Sequence, residues 1–227
     1  MCPIPRLATI LALTAALLLA AGSASANDYS FLGARSLQPG SRTAYATVGI
    51  PDLEMGATWG LNSLTDLTPR LRLQFGRGTR VGGGGLAVGA ALRMRLARLG
   101  GWMLAVVAEP ELQLHLFSRD HPPVADADGE GVQSFGISPV AGGVVVDREI
   151  LPDVRFIAGL KVPLTFYLAP TWVVNVPLVA ELGCEARIAD NLYLVTRIDG
   201  GVDFYGPGGD PGTALYFRGR LGLGWTL

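Results

Sequence analysis

The sequence predicts an all-β chain that closes into a single transmembrane antiparallel up-and-down β-barrel of about ten strands. Three observations predict it. Long segments alternate apolar with polar or small side chains, and the charged residues keep to one of the two faces. The chain is 49% hydrophobic with a positive mean hydropathy. Yet beyond the N-terminal leader no stretch approaches the ~18 consecutive apolar residues of a membrane helix. A tilted strand crosses a bilayer with only ~9–11 residues, and an open sheet would strand unpaired backbone groups in hydrocarbon, so the strands must close. Dropping or splitting one hairpin, to give eight or twelve strands, keeps most of the pattern.

The first strand is expected over 41–50, with Ala44, Ala46, Val48 and Ile50 on its apolar face, and the second over 52–61 after a Pro51-Asp52 turn. The third, 66–76, sets Leu67, Leu71 and Leu73 against Thr68, Arg70, Arg72 and Gln74. The fourth, 85–97, sets Leu86, Val88, Leu92 and Met94 against Ala87, Gly89, Ala91, Arg93 and Arg95. The fifth, 102–117, puts Glu109, Glu111, Gln113 and His115 inside. In the sixth, 134–147, Val144-Val145-Val146 and the glycines hide which face is which. The seventh, 153–168, has Arg155, Lys161, Thr165 and Tyr167 inside, and the eighth, 171–188, has Asn175, Glu181, Glu185 and Arg187. The ninth, 191–204, turns Tyr193, Arg197, Asp199 and Asp203 inward. In the last, Leu215, Phe217, Leu221, Leu223 and Trp225 face away from Arg218 and Arg220.

Residues 1–26 read as a cleaved export leader: Arg6, an apolar run from Leu7 to Ala21, and the small-residue site Ala24-Ser25-Ala26. The apolar run is roughly 15 residues, short of the ~20 of a spanning helix. Residues 27–40 are then expected as an N-terminal periplasmic segment, and 41–227 as the barrel. Cleavage leaves Cys184 as the one cysteine, so no internal disulfide forms. The formal net charge is −1 and becomes one unit more negative without Arg6, which gives no reason to expect nucleic acid as a partner.

The longest connections, 76–84, 118–133 and 205–213, all follow odd-numbered strands, as outward loops do in even-stranded barrels whose termini lie in the periplasm. Trp59, Trp102 and Trp225 then gather at the periplasmic rim and Trp172 at the outer rim, where interfacial aromatics belong. The inner face should carry a charge network of Arg70, Arg72, Arg93, Arg95, Glu109, Glu111, Glu181, Glu185, Arg197, Asp199, Arg218 and Arg220. A barrel of this size has a narrow interior, so such a network largely fills it. If Ala169 to Thr171 form a turn, Pro163 and Pro177 face one another and neither can donate to the ladder.

Other motifs carry less. Gly82 to Gly85 with Ala87 imitates a dinucleotide fingerprint but follows Arg77-Gly78-Thr79-Arg80 and opens no helix, so a flexible loop is expected. Asp126-Ala127-Asp128-Gly129-Glu130 lacks the distal ligands of a calcium loop. No cofactor or metal is expected. His115, His121, Asp120, Asp203 and Asp210 are the residues that could form a catalytic outer rim. Omptin-like proteases use aspartates and a histidine there, but no spacing here reproduces that motif, nor the His-x-Ser of lipid A deacylases. No enzyme is therefore expected.

Leader, alternation, loop asymmetry and terminal strand together make the chain resemble the small outer-membrane β-barrel proteins of Gram-negative bacteria, across nearly all of its mature length. The resemblance implies the outer membrane as location, its lipid as surroundings, the barrel-assembly machinery as the partner during insertion, and a monomer. The class usually ends on an aromatic residue, whereas here Leu227 is last and Trp225 stands two places earlier. The expected role is a structural barrel or a narrow, gated pore. A carrier of small apolar solutes through a lateral gap and an outer-rim protease or lipid-modifying enzyme are the alternatives.

Overall fold

In the computed structural model, residues 29–50, 52–75, 83–117, 132–168, 172–206 and 212–227 are described. Twelve β segments follow in chain order: β1 (Arg42–Ile50), β2 (Asp52–Gly60), β3 (Thr65–Gln74), β4 (Gly83–Leu99), β5 (Trp102–Ala108), β6 (Glu111–Phe117), β7 (Val132–Leu151), β8 (Val154–Tyr167), β9 (Val173–Asn175), β10 (Leu178–Ala189), β11 (Leu192–Gly206) and β12 (Gly212–Thr226). They form ten staves. β5 and β6 both pair with β4 and β7 and are one stave broken at Glu109-Pro110, and β9 and β10 are one stave broken at Val176-Pro177. Proline causes both breaks, because it removes a ladder donor.

Every neighbouring pair is antiparallel, and β1 pairs with both β2 and β12, so the sheet closes on itself. The expected all-β, ten-strand antiparallel barrel is what the chain forms. Gly83 to Gly85 belong to β4, so the loop expected at 82–85 is corrected from Gly83 onward: these glycines pair with His115 to Phe117 across the ladder.

Val48, Leu73, Val88, Leu92, Leu112, Leu160, Leu182, Ile198, Phe217 and Leu221 all lie exposed on the outer surface, while the residues between them turn inward and are buried. This inverts a soluble barrel. In the described residues no helix is long and apolar enough to cross a membrane. The start of β1 and the end of β12 lie at one mouth, where Leu227 donates its main-chain N–H to the carbonyl of Arg42. Trp59, Trp102 and Trp225 lie toward this end and Trp172 toward the other. Residues 76–82, 118–131 and 207–211 of the long connections lie outside the described residues, while 83–84, 132–133, 205–206 and 212–213 belong to strands; the strand ends Gln74/Gly83, Phe117/Val132 and Gly206/Gly212 are all at the mouth away from Leu227.

The sixth stave, β7, explains its own obscurity. Its pairing with β8 shifts register between Ile137 and Val140 and again between Glu149 and Leu151, so one alternation does not run its length. Val145 and Asp147 point inward, and Val144 faces out.

Candidate functional site

The lumen holds the chemistry, in two layers. The middle layer is a belt of ion pairs. Arg70 reaches Glu109 at 3.2 Å and Glu111 at 3.6 Å, and Arg72 also binds Glu111. These arginines stand on β3 and cross β4 to the next stave, which is open to them because the inner face of β4 there is Ala87, Gly89 and Ala91. Lys161 bridges Glu109 at 2.6 Å and Glu181 at 3.0 Å, and Arg197 joins Glu181 at 2.8 Å to Asp199 at 2.5 Å. On the far wall Arg220 crosses β1 to clasp Asp52 at 2.7 and 2.9 Å and Glu54 at 2.8 Å, while Arg218 approaches Asp52 at 3.2 Å. Tyr45 donates its hydroxyl to Glu54 at 3.0 Å. Pairing of this kind is what makes so many buried charges tolerable. Among the described residues, cavities of about 30 and 60 Å³ lie between these side chains.

The second layer was not anticipated. Residues 29–37, part of the expected N-terminal periplasmic segment 27–40, are folded into the lumen at the terminal end, with Ser30, Phe31, Ala34, Arg35, Ser36 and Leu37 all buried. This placement has a physical cause: the wall offers partners for a main chain that would otherwise stay in water. Asp147 accepts the N–H groups of Ala34 at 2.5 Å and Arg35 at 2.9 Å, and also Arg35 Nε at 3.1 Å. Glu185 accepts Leu32 N–H at 2.7 Å and the Ser30 hydroxyl at 2.9 Å. Arg93, fixed by Asp66 at 2.8 Å, donates to the carbonyls of Gly33 and of Ser30, the latter at 2.9 Å. Arg155 donates to the carbonyl of Tyr29.

Apolar contacts finish the seal. Phe31 packs edge-on to Tyr193 with ring centres 5.2 Å apart, in a cluster with Tyr45 and Val195. Ala34 sits among Met103, Ala105, Val107, Val145 and Ile157. Two glycines make the fit close. A Cβ at Gly224 would stand 2.7 Å from the Phe31 ring, and one at Gly33 would stand 2.6 Å from an Asp147 oxygen.

The sequence-derived charge set therefore divides. Arg70, Arg72, Glu109, Glu111, Glu181, Arg197, Asp199, Arg218 and Arg220 lie in the middle belt, joined by Asp52, Glu54 and Lys161, which the set omitted. Arg93 and Glu185 serve the inserted segment instead, and Arg95 donates to the carbonyl of Ser63 at 2.8 Å at the mouth. The residues of the proposed catalytic rim are not assembled among the described residues: His121, Asp120 and Asp210 lie outside them. No cluster of three or more metal-ligating side chains occurs among the described residues.

The fold and lumen define a closed ten-stave β-barrel filled by an ion-pair belt and by its own N-terminal segment. No family model matches the chain, and no curated protein matches it in sequence. Solved structures similar to it include the outer membrane protease OmpT from Escherichia coli, at 9% identity and a TM-score of 0.44, covering 82% of this chain and 93% of that one. Another is the outer membrane channel DcaP of Acinetobacter baumannii, at 11% identity and a TM-score of 0.20, covering 89% of this chain and 100% of that one. The expectation that the chain is not an enzyme is corrected on this point: a protease stands among the similar structures, and the barrel leaves an enzymatic role open.

Proposed function

We propose that this chain is an outer-membrane barrel of a Gram-negative bacterium, exported by its leader and inserted as a monomer by the barrel-assembly machinery, and that it forms a narrow pore held shut by its own N-terminal segment. The exposed apolar belt supports the lipid surroundings, since charge on that face would cost ~2–4 kcal/mol per Arg or Lys at mid-bilayer. The observation that carries the gating is the insertion of residues 29–37, whose main chain is bound by Asp147, Glu185, Arg93 and Arg155. Withdrawal of that segment would admit water to the terminal half of the lumen and hydrate the ion pairs beyond it. Planar-bilayer recording tests this. The intact protein should be silent, and a chain beginning at Gln38 behind the same leader should give discrete steps. Large steady conductance from the intact protein, or silence from a correctly folded truncation, would refute it.

A second reading, a carrier of small apolar solutes with a lateral exit, is favoured by one observation. The registers Val179↔Lys161 and Thr165↔Asn175 put Pro163 directly opposite Pro177. Val176 gives its N–H to Phe204 on β11, so the next residue, Pro177, faces β8. Two ladder donors are missing at that one point. Uptake of a fluorescent apolar solute by vesicles carrying the protein tests this reading: threonine at both positions should slow uptake, and an unchanged rate removes it.

A further inference from the structure

The lumen cavity of about 60 Å³ lies beyond the inserted segment, in the middle belt, and is lined by more positive than negative charge. Arg70, Arg72, Lys161, Arg197 and Arg218 border it. Glu109, Glu111 and Asp199 are the acidic groups that do so. Those three are already engaged: Glu109 by Arg70 and Lys161, Glu111 by Arg70 and Arg72, and Asp199 by Arg197. Arg218 is left with the poorest compensation. Among the described residues its ion-pair partner is Asp52 at 3.2 Å, and Asp52 is already held by both ends of Arg220.

The donors tell the same story. The Nε–H groups of Arg70, Arg72 and Arg218 are buried and have no hydrogen-bond partner among the described residues. A buried, unpartnered donor on a charged group is costly, and three around one void call for an acceptor. The void has room for one. A single water needs roughly 10–15 Å³ by the same measure, so the cavity takes an ion of chloride size with a few waters.

We propose that this cavity is a binding site for a small monovalent anion, chloride or a compact carboxylate, coordinated by Arg218 and Arg72 with Arg70 beside them. The anion supplies the negative charge that Asp52 cannot give to two arginines at once.

Thermal unfolding of the full mature protein in detergent tests the site, with chloride titrated against gluconate at constant ionic strength. Binding to the folded state should raise Tm by about 5–10 °C once chloride is a hundredfold above its Kd, and formate should substitute for it. Arg218→Gln should abolish the rise, and Arg72→Gln should weaken it. Bromide-soaked crystals give a second readout independent of stability: an anomalous peak against Arg218 is expected. Equal Tm in chloride and gluconate, or bromide on the surface only with water in the cavity, would overturn the proposal.

Discussion

Asp147 holds Arg35 at two points, the main-chain nitrogen at 2.9 Å and the guanidinium Nε at 3.1 Å, with the Asp147 side chain fully buried. A wall residue on β7 thus fixes both the path and the side chain of a segment more than a hundred positions earlier in the chain. Removing one member of a buried pair costs about 3–5 kcal/mol when the other has nowhere to go. Here Arg35 has an escape, because its segment can leave. Asp147→Asn should therefore release residues 29–37 and leave the barrel standing. Trypsin should cut after Arg35 in the variant and spare it in the parent; equal resistance would show that the segment is held by other means.

Gly224 makes a sharper probe, because only its missing side chain admits the Phe31 ring. Gly224→Val should expel Phe31 and speed hydrogen exchange across 29–37. Gly219→Val is the matched control on the same strand, since a Cβ there meets nothing within 4 Å. Equal exchange in the two variants would contradict the packing described.

The Pro163/Pro177 seam predicts a gain. Threonine at both positions restores two ladder donors at a net of ~0.5–1.5 kcal/mol each, so urea unfolding in lipid vesicles should shift by about 1–3 kcal/mol toward the folded state. No shift would mean that the ladder at this point gains nothing from them.

A graded cost should reveal the lipid. Leu221, exposed near mid-height on β12, and Leu215, exposed toward the far rim, both face outward. Leu221→Arg should destabilise the folded barrel in a bilayer by about 2–4 kcal/mol, and Leu215→Arg by about 0–1 kcal/mol. Equal penalties would contradict a membrane-embedded belt.

The staves were legible wherever charge marked one face, as on β3, β4 and β12, because period two separates the faces without any knowledge of partners. β7 was not, since Val144 to Val146 offer the same side chain to both faces and two register shifts interrupt the alternation. That obscurity hid Asp147, and with it the destination of residues 29–37, which carry no periodicity of their own. One signal was available. The terminal half of the wall turns Asp66, Asp147 and Glu185 inward against Arg93 and Arg155, and the missing cation is Arg35. Counting inward charges by height, instead of listing them by strand, would have pointed to it. The middle belt was half visible: its arginines and glutamates were named, but the arms that span a whole stave depend on the small residues of β4, which read only as strand formers.

The grip on the N-terminal segment falls largely on main-chain atoms, which every residue but proline supplies in full. Ala34, Arg35 and Leu32 are held by their amide hydrogens, and Tyr29, Ser30 and Gly33 by their carbonyl oxygens. The lumen thus recognises the shape of a folded-back chain more than its spelling. Substitutions at Leu32 or Ala34 can be absorbed as long as their size suits the pocket, whereas the four wall residues admit no such drift. An unrelated peptide able to adopt the same turn could compete for the same place, which makes the terminal mouth a socket as well as a stopper.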